Sequence, residues 1–374
     1  MHVLAALLGL VAISTILVDA FEVIILPRRV VRRLRLSVAF LRTTWGVWRS
    51  LAGRIPSPKR REGVLALYGP LSLLMLLHVW ALGCMIGFAL WMWGAGVHLA
   101  GVSDPTFGGY LYLSGVTFFT LGYGDVVPTD AVGRLTSVVE VGTGFGLIAI
   151  VIGYLPVVYQ GFSRRETAIA LLDARAGSPP SAEQLVLRYS HHKEAFEALL
   201  REWEQWSAEL LESHLSYPVL GLFRSQHANQ SWLGALTAIM DACVLVLAEL
   251  EDGPAWQAQL TFAMARHAVV DLAQVYSAPP ERAAPERLSP DDLAGLRSKL
   301  LQQGVRLRAP HDDRVQGLRA MYEPYIQALA EQLRLNLPAW NAPAVAVENW
   351  QTSPWERLTG TAIRTLLGAP GDPH

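Results

Sequence analysis

The sequence predicts an all-α membrane protein whose second half is a helical domain of soluble character, and three observations carry that class. Three apolar runs, residues 1–25, 64–93 and 131–159, are each long enough to cross a bilayer, which takes roughly 20 apolar residues in a helix. A further run, 105–119, is uncharged but too short to cross, and it leads directly into a glycine-rich segment. From about Arg165 the pattern becomes amphipathic with helical period, and no alternation of period two marks strands there. The composition agrees with a divided chain, because a mean hydropathy of +0.28 is high while the charged 17% is concentrated outside the apolar runs.

Residues 1–26 form the first element, a transmembrane helix rather than a cleaved signal. The run lacks a basic start, and Arg28, Arg29, Arg32 and Arg33 follow it as a stop-transfer signal. Residues 27–63 are a basic linker, whose Lys and Arg content places it in the cytoplasm. The loop 95–105 has no Lys or Arg and belongs outside. The expected orientation is therefore N-terminus outside and second half inside, in a multi-pass plasma-membrane protein. Within the linker, Leu34, Val38, Leu41, Trp45 and Trp48 form a helical stripe flanked by Arg35, Arg42 and Arg49. That pattern suits a helix lying on anionic lipids, each basic residue contributing about 1 kcal/mol; a solvated stop-transfer loop is the plainer alternative. A voltage sensor is not expected, since only one span precedes residue 64. Asp19 and Glu22 are expected to pair with the basic run.

An outer helix over 64–93 carries Trp91 and Trp93 as interfacial anchors. Pro105 suits the N-terminus of a short re-entrant helix ending at Phe119. Such a helix needs protein or a water-filled cavity around it. Thr120-Leu121-Gly122-Tyr123-Gly124-Asp125 follows, then an inner helix over 131–159 with Gly142, Gly144, Gly146, Gly153 and Pro156. A Pro inside a helix removes one backbone hydrogen bond, so Pro156 is a bending point.

This order, together with Val126-Val127-Pro128, Gly133-Arg134-Leu135 and Ser163-Arg164-Arg165-Glu166, resembles the pore unit of the potassium channel superfamily over residues 64–165. The chain as a whole resembles prokaryotic one-pore potassium channels grouped with the two-pore-domain and voltage-gated-like members. The resemblance implies a homotetramer, with K+ as permeant ion and no cofactor. Thr120, Leu121, Gly122, Tyr123 and Gly124 would form the selectivity filter, as in the four Thr-Val-Gly-Tyr-Gly loops whose carbonyls replace the hydration shell of K+. Gly122 and Gly124 fit because turning every carbonyl inward takes backbone angles that a Cβ opposes. Leu121 stands where Val is usual and would pack its side chain behind the filter. Gly144 aligns with the family's gating glycine, and with Pro156 it forms the expected hinge. Gly142 and Gly146 are better explained as close-packing positions. Phe145, Ile148 and Ile152 share the face assigned to the inner cavity. Asp125 and Glu140 are the expected filter supports. Val116 occupies the position where some bacterial channels carry a Glu that binds the filter Asp, so Asp125 needs another partner. Glu140 lies off the cavity stripe and is expected behind the filter, near Ser114 or Thr117.

Residues 166–374 read as one helical domain, broken at 177–180, 252–254, 278–285 and 338–343. Neither a dinucleotide-binding ring nor a cyclic-nucleotide barrel is indicated. The apolar run 232–250 lacks flanking basic residues and is read as a buried core helix rather than a fourth span. His227, Asp241, His267 and Asp271 match no metal motif by order or spacing. His191, His192 and His214 are candidates for proton sensing, and no regulatory ligand is identified. Cys84 and Cys243 imply no disulfide framework. No nucleophile elbow, phosphate loop or carboxylate pair points to an enzyme, and a net charge of −1 gives no reason to expect nucleic acid as partner. The functional expectation is passive K+ conduction modulated by the second half. The alternatives are a weakly selective cation channel and a membrane-tethered sensor with a non-conducting pore fold.

Overall fold

The computed structural model describes residues 2–24, 35–102, 106–226, 229–280 and 286–341. Pro105, His227, Leu34 and the Arg28–Arg33 stop-transfer run lie outside the described residues. Two compact units divide the chain, Met1–Phe162 with Ser213–Phe223, and Ser163–Glu212 with Arg224–His374.

The first unit opens with α1 (His2–Ile24), α2 (Leu36–Gly53) and α3 (Pro58–Gly94). Ser57 caps α3 and Pro58 occupies its first turn, where a missing N–H costs nothing. Helix α1 lays Ala5, Gly9, Ile13 and Ile16 against α3. A Cβ on Gly9 would sit 2.6 Å from the Trp91 amide nitrogen, and one on Gly87 would sit 2.8 Å from Ile13 Cγ1. In lipid, where apolar burial drives little association, such backbone proximity supplies the packing. The outward face of α1, including Val3, Leu7 and Val11, stays apolar and exposed.

Asp19 and Glu22 meet the linker in different ways. Glu22 pairs with Arg35 at 3.6 Å, as expected. Asp19 instead accepts from the Ser37 amide and hydroxyl and from Trp80 Nε1 at 2.9 Å. Arg35, at the N-cap of α2, offers no side-chain cap, so the buried Asp19 carboxylate satisfies a first-turn amide of that helix. The α2 stripe is also corrected in part. Trp45 packs on the Tyr68 ring at 4.9 Å and Trp48 at 5.8 Å, which turns this part of the stripe toward α3, whereas Val38 is exposed.

Beyond α3 come β1 (Leu99–Ala100), α4 (Phe107–Phe118), β2 (Val127–Pro128) and α5 (Ala131–Ala176). The two short strands pair antiparallel, Leu99 with Pro128 and Ala100 with Val127, a ladder too brief for the sequence pattern to reveal. Asp130 caps α5 through the Gly133 amide at 2.7 Å and accepts from the His98 amide. Its carboxyl is held below the usual range, first by the Gly133 amide and then by that of His98. Helix α5 does not stop at residue 159 but runs unbroken to Ala176, where Gly177 at φ +85° ends it. No connector therefore occurs at Ser163-Arg164-Arg165.

A second correction concerns the boundary at 165/166. Residues 213–223, expected within the second domain, pack in the first unit. There the 3-10 turn Pro218–Leu222 places Val219 and Leu220 against Leu73, Tyr154 and Val158.

The second unit is helical: α6 (Ala182–Tyr189), most of α7 (Lys193–Ser216), α8 (Trp232–Ala248), α9 (Ala255–Val275), α10 (Pro290–Gln302), α11 (Asp312–Ala320) and α12 (Glu323–Leu333). Every residue of α8 is buried, and α6, α9, α11 and α12 pack on it. Asp241 on α8 accepts from Arg287 at 2.5 Å and from the Tyr322 hydroxyl. Arg287 and Arg319 both stack on Trp340, at 5.9 and 5.7 Å. Asp241 is thus engaged in an ion-pair cluster rather than a metal site. His267 and Asp271 stand 3.8 Å apart, and among the described residues no three His, Cys, Asp or Glu residues gather to hold a metal.

Candidate ion-conduction site

Helix α4 positions the Thr120–Asp125 segment. It starts after Thr106 and buries Tyr110, Leu113, Ser114, Val116 and Phe118. Its last turn is closed by the Thr120 amide donating to the Thr117 carbonyl and the Leu121 amide to that of Val116, at 3.0 and 2.8 Å. The backbone then alternates. Thr120, Gly122 and Gly124 lie at φ +57°, +61° and +76°, while Leu121 and Tyr123 between them keep negative φ. A β-branched residue in the left-handed region costs on the order of 1–3 kcal/mol, so Thr120 is held there by its surroundings. In a uniform strand successive residues alternate sides; alternating the handedness of φ turns consecutive carbonyls to a common side.

The side chains of Leu121 and Tyr123 are 52% and 69% exposed in the single chain. The expected seat for Leu121 behind the segment is therefore not supplied by its own chain. Asp125 finds a partner that sequence spacing did not suggest, the Tyr112 hydroxyl at 2.7 Å. That hydrogen bond holds the carboxyl below the usual carboxylate range. The two residues are one helix end and one loop apart, and no local pattern links them.

Glu140 is fully buried and contacts the Ser114 hydroxyl, one of the two partners expected for it. Phe145, Ile148 and Ile152 share one face of α5 and are 67%, 45% and 67% exposed. Gly144, at the edge of that face, lies against the end of α4, and a Cβ there would strike the Phe118 carbonyl. The close-packing role expected at Gly142 and Gly146 thus falls on Gly144, since nothing lies within 4 Å of a Cβ at the other two. Pro156 lies inside the uninterrupted α5.

Comparison with known proteins gives one match. The family model described as ion channel matches residues 75–160, which run from within α3, through α4 and the Thr120–Asp125 segment, into α5. That stretch is similar to an ion channel domain, and it covers less than half of the chain. No curated protein matches, and no solved structure matches. Among the described residues three helices, α1, α3 and α5, are long and apolar enough to cross a membrane.

Proposed function

We propose that the chain is a homotetrameric, potassium-selective channel that conducts K+ passively across a plasma membrane, with its second half in the cytoplasm modulating opening. The observation that carries this reading is the alternation of φ through Thr120, Leu121, Gly122, Tyr123 and Gly124 at the end of a buried helix. Carbonyls on one side of one chain offer a single column of oxygens, and four chains around an axis close them into rings. Self-assembly is supported by the exposed side chains of Leu121 and Tyr123 and by the exposed apolar residues Leu135, Val138 and Phe145 of α5. A prokaryotic inner membrane, with the N-terminus outside, follows from the resemblance and from the basic linker. Anionic lipids are proposed as partners of α2, one exposed side of which presents Arg42 beside Val38.

Reversal potentials of the purified full-length protein in liposomes test the proposal. Under a K+/Na+ gradient the current is expected to reverse near the K+ equilibrium potential. Gly122→Ala is expected to abolish selectivity or current while the protein stays in the membrane, because Ala at this φ costs about 1–2 kcal/mol in each chain. Unchanged selectivity in that variant would remove the filter assignment. A current without K+ preference would favour the weakly selective channel, and a folded, silent tetramer the sensor.

A further inference from the structure

The Ser114 hydroxyl joins three helices. Its Oγ lies 2.8 Å from the main-chain carbonyl of Met85 on α3 and contacts Glu140 Oε1 on α5. A hydroxyl carries one proton, and two oxygen–oxygen contacts this close need two. The Met85 carbonyl has none to give. Glu140 is the one partner able to supply the second.

We infer that Glu140 is a neutral carboxylic acid that donates to Ser114 while Ser114 donates to Met85, and that this two-proton chain ties the inner helix to the helix behind the filter. Glu140 is then a positioning residue, acting through α4. The inference rests on the channel reading only for its effect on current.

An independent observation points the same way. Glu140 is fully buried, and its Oε2 has no hydrogen-bond partner among the described residues. An ionised carboxylate spreads its charge over both oxygens and needs donors on both, whereas the carbonyl oxygen of a neutral acid tolerates their absence far better.

Among the described residues the neighbouring groups supply no cation. On α4 the titratable side chains are Tyr110 and Tyr112, whose hydroxyls go to the Val97 carbonyl and to Asp125. On α3, Cys84 is the titratable group in electrostatic reach of Glu140, and His78 is bonded to the Leu74 carbonyl. On α5 itself Arg134 is six positions away, about 240° around the helix. Removal of the Glu140 proton therefore leaves a buried charge without a counter-ion and a single proton, that of Ser114, for two contacts, so Ser114 can no longer hold both Glu140 and the Met85 carbonyl. The sign follows: the tie is whole while the acid is neutral and is lost as pH rises.

The full-length protein in liposomes decides the matter through two readouts. Infrared difference spectra across an alkaline titration are expected to show a neutral-carboxyl C=O band at neutral pH that fades as pH rises and is missing from Glu140→Gln. Over the same interval K+ flux is expected to fall about tenfold or more, the scale set by an uncompensated buried charge. In Glu140→Gln, whose amide donates to Ser114 but cannot ionise, flux is expected to stay flat over that interval. Absence of the band at neutral pH, or an unchanged alkaline fall in the Gln variant, would overturn the inference. If no flux is seen under any condition, the channel reading fails, while the band still decides where the proton is.

Discussion

At the scale of single residues, the mouth of the site depends on one phenol. Tyr112 donates to Asp125 at 2.7 Å, and Asp125 directly follows the last left-handed glycine, Gly124 at φ +76°. Removing the hydroxyl alone, in Tyr112→Phe, keeps the ring and deletes the bond that orients the loop's exit. The variant is expected to lose current faster than the parent when K+ is lowered, since fewer ions then brace the segment. Equal loss in both proteins would show that Tyr112 is no support. The pH dependence is fixed in sign: the bond holds the Asp125 carboxyl below its ordinary value, so the support is complete at neutral pH. It is lost only as pH falls through that lowered value. Legibility at this scale was uneven for physical reasons. The left-handed glycines could be read because few other residues adopt that backbone, and Glu140 because a carboxylate in an apolar helix has to find a partner. Tyr112 could not be read, because its role is set by how the loop folds back and not by spacing. For Gly144, expected as a hinge, the contact with Phe118 could not be read, since a glycine needed for contact looks the same in sequence as one needed for bending.

Helices were legible where apolar residues ran long and illegible where something other than hydrophobicity set an end. The end of α5 was expected near residue 159, where Ser163, Arg164 and Arg165 signal the membrane boundary. Charge does not terminate a helix, however, and α5 continues until a residue able to take positive φ, Gly177, arrives. The docking of residues 213–223 on the membrane unit was not legible at all, because a five-residue 3-10 turn has no period to detect. It has the more consequential packing. The ring of Tyr217 meets that of Tyr154 at 5.6 Å, two residues before Pro156, and Leu220 lies 3.2 Å from where a Cβ of Gly161 would stand. A bend of α5 at Pro156 changes this contact with α3 and the turn. Leu220→Ala deletes a side chain that is 1% exposed, a loss of about 2–5 kcal/mol of packing. The expected outcome is an open probability altered about tenfold or more in single-channel records, with K+ over Na+ selectivity unchanged. Unaltered opening statistics would make the turn a passive filler, and lost selectivity would mean that it acts on the filter instead.

On the scale of the whole molecule, the open question is which parts face which side of the membrane, and charge and packing bear on it separately. The linker 27–63 is dense in Arg while the stretch between α3 and α4 has none, and the orientation proposed on that ground puts the C-terminal end of α3 outside. Packing then decides whether the second half stays on the linker's side. Helix α8 is apolar enough to be confused with a span, but it has only 17 residues and all are covered by helices of its own unit, leaving no face for lipid. Crossings by α1, α3 and α5, the three helices of sufficient length and hydropathy among the described residues, would leave the second half on the side opposite the N-terminus. Single cysteines report this directly, because the native thiols of Cys84 and Cys243 are both 0% exposed and give little background. Arg42→Cys and Glu331→Cys are expected to react with an impermeant maleimide only from the cytoplasmic side, and His98→Cys, whose native side chain is 84% exposed, only from outside. Labelling of Glu331→Cys from outside while Arg42→Cys still reacts from the cytoplasmic side would require a further crossing between α5 and α12, and among the described residues α8 is the apolar helix there to make it. That result would overturn both the orientation and the reading of α8 as a core helix, whereas outside labelling of Arg42→Cys together with Glu331→Cys would invert the orientation and leave the core intact.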